Sequence, residues 1–304
     1  MNCRTYVTAR TVRRLFLKLG KNPHAKRLAI VVIVITVFVP FSLSMLEQSL
    51  VRKYSELESV LIKDRDGEII ATLPNSKGEY SNYVNELPEE LKRLLVKKED
   101  RFFYIHPGIN PVSIARATIN YIFGGNPGGS STITQQLAKN LLGNENDRTV
   151  GNKVKELFYT LGLEVFRTKE SILTMYANTV YMGNNIQGFN QASIDYFGKK
   201  LNELSESEFV SLLAGLSNPS TQNPWKSANK KIAAALAARL GVSFDSHIDI
   251  NDAPDAYIHR SATSFEFDSL GQECRESCAT TLDKDLTERL REILSRNIYQ
   301  AWDS

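Results

Sequence analysis

Residues 87–108 read LPEELKRLLVKKEDRFFYIHPG, and the reading of the chain turns on this stretch. Pro88 suits the first turn of a helix, and Glu89 and Glu90 suit the positive end of its dipole. Leu87, Leu91, Leu94 and Leu95 then recur at helical spacing and form an apolar stripe. Glu99 continues that stripe, so an acid projects from the face that the leucines would bury. A local rule broken in this way tends to mark a functional site. The pattern fits equally a helix end at which Glu99 swings into a salt bridge with a neighbouring lysine. Glu99–Gly108 then crowds acids, a base, a histidine and aromatics into one short segment.

Upstream, residues 1–27 carry Arg and Lys but no Asp or Glu, and residues 28–46, LAIVVIVITVFVPFSLSML, carry no charge. A run of that length spans a bilayer core of roughly 30 Å. It is longer than the apolar core of a cleaved signal peptide, and no A-x-A site follows it. The expectation is a basic cytoplasmic tail at 1–27 and an uncleaved transmembrane anchor at 28–46, with the rest outside the membrane. Residues 47–86 read as a short β-containing linker, in which VLIKDRDGEIIATL forms two strands around an Asp66-Gly67 turn.

Downstream, Gly128–Asn140, GGSSTITQQLAKN, places Thr132, Gln135, Gln136 and Lys139 on one helical face. A helix start rich in hydroxyls and backed by lysine suits a phosphate. Simple capping explains the same residues. Further helices are expected over 152–166, over 169–178 after a Thr168 cap, over 205–216 with a Ser205/Glu208 capping box, and over 229–240. The chain is therefore mainly α. From about residue 244 it turns polar and irregular, with a strand-like CATTL. A hydrophobic content of 42% with 23% charged residues excludes a disordered chain, and the net charge of +3 is small; no nucleic-acid partner is expected. Cys274 and Cys278 stand close enough for a local disulfide in an exported segment, and no ligand-spaced set points to a metal.

These segments together resemble the glycosyltransferase module of class A penicillin-binding proteins and of monofunctional peptidoglycan transglycosylases (glycosyltransferase family 51). The family motif EDxxFxxHxG is matched at Glu99–Gly108, and GxSTITQQ at Gly129–Gln136. RKxxE appears as Asn152–Glu156, with Asn152 in the Arg position, and KxxILxxYLN as Lys169–Asn178, with Ala177 for Leu. The fifth motif, RxxxVL, survives at best in degraded form at Lys230–Leu236. The resemblance covers about residues 55–240.

It implies a lysozyme-like, mainly α glycosyltransferase domain at 87–243 with a membrane-dipping jaw around Ile109–Phe123. A small β hairpin would precede this domain, and 244–304 would be the remnant of a linker to an absent transpeptidase domain. The implied reaction polymerises lipid II into β-1,4 glycan strands and releases polyprenyl diphosphate with inversion. The resemblance assigns Glu99 as general base and Glu156 as a second catalytic carboxylate. It implies substrate binding by Arg101, His106, Arg116, Ser131, Thr132, Gln135, Gln136, Lys139, Asn140 and Lys153, although a lone histidine such as His106 more often closes a loop. No cofactor is required, and a Mg or Mn ion is an optional addition. The partners implied are lipid II, the lipid-linked glycan strand, the bilayer of a bacterial inner membrane and other cell-wall synthesis proteins, including a transpeptidase. No SxxK, SxN or KTG set appears, so no transpeptidase activity is expected. Two alternatives stand beside the polymerase: a weak or inactive scaffold of the same fold, and a lytic glycosidase.

Overall fold

The computed structural model describes residues 38–63, 65–66, 69–112, 131–143 and 149–250, the backbone of Ser277–Ala279, and a few single positions elsewhere. The first helix, α1 (Val39–Glu56), carries Pro at its start and lies on the body of the protein through its second half. Glu47 and Leu50 are buried there, and Arg167 donates to Glu47 Oε1 at 2.5 Å. The helix thus runs ten residues into the segment expected to be a β-containing linker. An apolar contact face drives this, because Leu50 and Leu57 both enter the core. Of the expected anchor, 28–46, residues 39–46 form the start of α1, and 28–37 apart from Val31 and Thr36 lie outside the described residues. No helix among those described is long and apolar enough to cross a membrane.

The hairpin forms where the Asp66-Gly67 signal put it: β1 (Val60–Lys63) pairs antiparallel with β2 (Ile69–Leu73). Its other edge is taken by β6 (Ser277–Ala279), which runs parallel to β1 with Ile62 opposite Cys278. The expected appendage therefore contributes a strand to the sheet that precedes the domain. A second sheet sets β5 (Ile186–Gln187) between β3 (Tyr80–Ser81) and β4 (Tyr181–Gly183). Asn184 and Asn185, with φ of 51° and 57°, make the two-residue turn between β4 and β5. Two consecutive left-handed residues match the right-handed twist of a hairpin, and asparagine tolerates them.

The body is helical. It comprises α2 (Glu89–Glu99), α3 (Ile133–Leu142), α4 (Val150–Phe166), α5 (Lys169–Thr179), α6 (Phe189–Phe197), α7 (Glu206–Gly215), the short α8 (Pro219–Gln222) and α9 (Ser227–Leu240). The leucine stripe of α2 is borne out, since Leu91, Leu94 and Leu95 are wholly buried. Pro88 caps that helix from just outside its first turn. The capping box of Ser205 and Glu208 starts α7, which packs on α2, α6 and α9 and is buried on every side. That is why its sequence is apolar all round. Despite the degraded fifth motif, α9 packs on α7 through Ala233, Leu236, Ala237 and Leu240. On α4 the apolar residues Val154, Phe158 and Val165 recur at helical spacing yet are exposed, whereas Glu156, Thr160 and Leu163 are buried. The inner face of α4 meets α1 and α3, and it carries the polar groups described next.

Candidate active site

The Glu99–Gly108 loop is locked to α3 by hydrogen bonds that leave its first acid outward. Asp100, next to the end of α2, is buried and accepts the Ile133 N–H at 3.1 Å. That places a carboxylate at the positive start of α3. His106 Nε2 lies 2.9 Å from Asp100 Oδ2, and the Gly108 N–H donates to His106 Nδ1 at 3.1 Å. Because Nδ1 accepts, Nε2 carries the proton and donates to Asp100. Thr132 Oγ1 closes the loop by donating to the Gly108 carbonyl at 2.6 Å.

A second knot holds the loop from α4 and α5. Lys169 Nζ donates to the His106 carbonyl at 2.8 Å and to Glu164 at 2.8 Å, and it lies 4.6 Å from the centroid of the buried Phe103 ring. Thr134 Oγ1 donates to the same Glu164 carboxylate at 2.5 Å. The ammonium thus joins α5 to the loop and to α4, with α3 tied in through Glu164, and its charge is met by a carboxylate, a carbonyl and an aromatic face.

Glu99 ends α2 with its side chain 17% exposed. One carboxylate oxygen, Oε1, is ion-paired with Lys98, whose side chain is buried. The other, Oε2, accepts from Gln136 Nε2 at 3.3 Å, and Gln136 Oε1 in turn accepts from the Tyr176 hydroxyl at 3.0 Å. The leucine stripe leads to Glu99, but the end of the stripe is polar, not the dry apolar setting the pattern implies. Both alternatives for this residue hold in part: it is at a helix end and in a salt bridge, and its carboxylate also keeps a partly exposed edge beside Gln136 of α3.

Residues 66–240, more than half of the chain, match the family described as Transglycosylase. The chain belongs to the transglycosylase family. Its relatives include penicillin-binding protein 1A of Escherichia coli strain K12, 37% identical over 79% of this chain and 29% of that protein. Penicillin-binding protein 2a of Streptococcus pneumoniae serotype 2 is 39% identical over 64% of this chain and 26% of that protein. The chain spans less than a third of the length of these relatives. Among solved structures, penicillin-binding protein 1A from Haemophilus influenzae matches 75% of this chain and 27% of its own, at 17% identity and a TM-score of 0.32.

Within this member of the family the motif residues divide into those that hold the fold and those left facing outward. Thr132 and Gln135 are buried in a mutual capping box at the start of α3, so capping accounts for them. Both ring nitrogens of His106 are used inside the protein, which makes it the closing residue of its loop. Ser131 is exposed, Lys139 and Asn140 are half-buried, and the Asn140 carbonyl accepts from Lys77 Nζ at 3.3 Å. Lys153 and Glu156 on α4 form an ion pair in which the carboxylate is 10% exposed and the ammonium 48%. Arg101 is exposed and lines a hollow with Glu89, Lys92, Arg93 and Tyr104, whose lining does not include Glu99. Arg116 lies outside the described residues, as do the side chains of Cys274 and Cys278 and most of the expected jaw, Ile109–Phe123. Asn152 uses its backbone N–H at the Thr149 cap of α4. Among the described residues no group of three or more His, Cys, Asp or Glu is gathered for a metal ion.

Four contributors went unpredicted as site residues: Lys98, Glu164, Lys169 and Tyr176. Lys169 and Tyr176 stand in the fourth motif, and that was their only signal. Asn178, in the same motif, donates to the Tyr54 hydroxyl at 2.7 Å and to the Val84 carbonyl at 2.9 Å, so the motif also ties α1 to α5.

Proposed function

We propose that this chain is a peptidoglycan glycosyltransferase that joins lipid-linked disaccharide units into β-1,4 glycan strands, with Glu99 as general base. The observation that carries the reading is the placing of Glu99: a partly exposed carboxylate, held at both oxygens, at the end of a helix whose next residue is buried in a structural lock. The acceptor is the sugar 4-hydroxyl of lipid II. Its O–H bond breaks and the proton passes to Glu99, while the oxygen forms a bond to the donor anomeric carbon. The bond from that carbon to the diphosphate oxygen breaks with its electron pair, and polyprenyl diphosphate leaves. Attack from the face opposite the leaving group inverts an α-linked donor to a β product.

A diphosphate leaves without needing a proton, so cations serve the departing side. Lys139 and Lys153 are the described candidates, and Ser131 and Asn140 stand with Lys139 in the segment that starts and forms α3. Glu156 steers the Lys153 ammonium through their ion pair. A divalent Mg or Mn ion is an optional aid, and no step is routed through it. The expected anchor at 28–46 would continue into α1, whose Val39, Phe41 and Met45 are exposed. That arrangement would hold the catalytic domain on the outer side of an inner membrane, where lipid II and transpeptidase partners are met.

The test is polymerisation of lipid II by the full chain beside Glu99→Gln. Removing a general base lowers the rate by about 10²–10⁴-fold. Well-folded wild-type protein that makes no polymer would support the scaffold alternative. Release of soluble muropeptides from purified sacculi would support the glycosidase.

A further inference from the structure

Tyr176 is 1% exposed and takes no part in the reaction as written, yet its hydroxyl is one hydrogen-bonded residue away from Glu99. It stands on α5, while Gln136 is on α3 and Glu99 ends α2, so three segments distant in sequence meet in one line. The polarity of that line follows from the groups themselves. A carboxylate only accepts, so the end of the Gln136 amide beside Glu99 Oε2 has to be the NH₂. The carbonyl end then points at Tyr176 and needs a donor, which the hydroxyl supplies at 3.0 Å.

We propose that Tyr176 is a positioning residue for glycosyl transfer, holding the Gln136 amide in the one orientation that donates to Glu99. This rests on the reading of Glu99 as the base. Without the hydroxyl, the carbonyl end of the half-buried Gln136 would lose its protein donor, and the amide could turn over. Its oxygen would then face the carboxylate, lone pair against lone pair. With the hydroxyl in place, Lys98 holds one oxygen of Glu99 and the amide holds the other. Burial, with the charge of Glu99 beside it, pushes the Tyr176 phenol well above its ordinary pKa, so it stays a donor throughout the working range. A residue that bound substrate would act on KM; one that orients the base acts on kcat.

The experiment measures steady-state glycan polymerisation from lipid II by the full chain in Tyr176→Phe, Gln136→Leu, the double variant and Glu99→Gln, with a melting curve for each. Loss of one oriented hydrogen bond lowers kcat by about 3–10-fold. KM should stay within about a factor of two, since the hydroxyl touches no substrate. Gln136→Leu should give the same split, and the double variant should be no slower than Gln136→Leu alone, because the two act as one unit. Independent, additive losses overturn the proposal, as does a rise in KM at unchanged kcat or wild-type kcat in either single variant. If Tyr176→Phe fails to fold, Gln136→Leu still tests the contact through which Tyr176 would act, and wild-type kcat in it overturns the proposal. An inactive Glu99→Gln beside a fully active Tyr176→Phe overturns the positioning role and leaves the base intact. An active Glu99→Gln overturns both.

Discussion

Gly108 has φ of +81°, and a Cβ built on it would come within 2.7 Å of Thr160 Cγ2 and Glu164 Cγ. The loop lock needs that approach, since the Gly108 carbonyl and N–H both bond within it. Gly108→Ala should therefore cost about 1–3 kcal/mol from the backbone alone, with the contact on α4 adding to it, and a melting curve will show the loss. The same scale separates side chains that keep an exposed edge from those that are buried. Asp100 and Glu99 are adjacent acids, but Asp100 is consumed by His106 and the start of α3 while Glu99 keeps an exposed edge. Sequence order does not tell them apart; which helix each one meets does. Likewise the hydroxyls of Thr132 and Thr134 look like a phosphate cradle in the sequence, yet both donate to protein groups.

Among the elements, α7 is the one whose start was most legible. Ser205 and Glu208 exchange hydrogen bonds, and Lys199 donates to Glu208 at 2.6 Å. Burial pushes the Glu208 carboxyl up, but the bonds from Lys199 and from Ser205 outweigh it and hold the group below the ordinary carboxylate range. A folded pKa below the unfolded one stabilises the protein above the unfolded value, near 4.3 for Glu, and that stability is lost as pH falls through the folded value. Glu208→Gln should thus lower stability at pH 7 by about 1.5–3 kcal/mol, the range of bonds to charged groups. Denaturant unfolding repeated down to pH 3 should show the gap between variant and wild type closing. At the same scale, α4 carries an exposed apolar row and a buried polar one, so periodicity there gives the helix but reverses its faces. The reversal comes from Glu156, Thr160 and Glu164, which are drawn inward by partners on neighbouring segments and on the helix itself.

For the whole molecule, the contact of α1 with α4 joins the amino-terminal helix to the helix that bears Lys153 and Glu156. At Gly162 the backbones approach closely, a Cβ there meeting the Leu43 carbonyl at 3.0 Å, and the Arg167–Glu47 pair closes the same seam. Gly162→Leu should force the helices apart and destabilise the protein by about 1–3 kcal/mol, the usual effect of overpacking. Faster limited proteolysis within residues 39–56 would report the separation. Tyr54 adds a second fastening: it stacks on Tyr83 at 4.7 Å between ring centroids and accepts from Asn178. Burial pushes its phenol up to about 12, so this fastening stays neutral across any working pH.

The sequence by itself determined whatever depends on residues within a turn or a strand pair of one another. The α2 stripe, the Ser205/Glu208 box, the Thr168 cap and the Asp66-Gly67 hairpin were all readable, because caps, turns and helical faces close over three or four residues. Motif identity also led to Glu99. Tertiary structure decided what that acid touches. The Glu99–Gln136–Tyr176 line, the Lys169 knot and the pairing of β1 with β6 each join segments tens to hundreds of residues apart. Hydrogen bonds of that range form only once packing has brought the partners together, and no local pattern encodes which partners those will be.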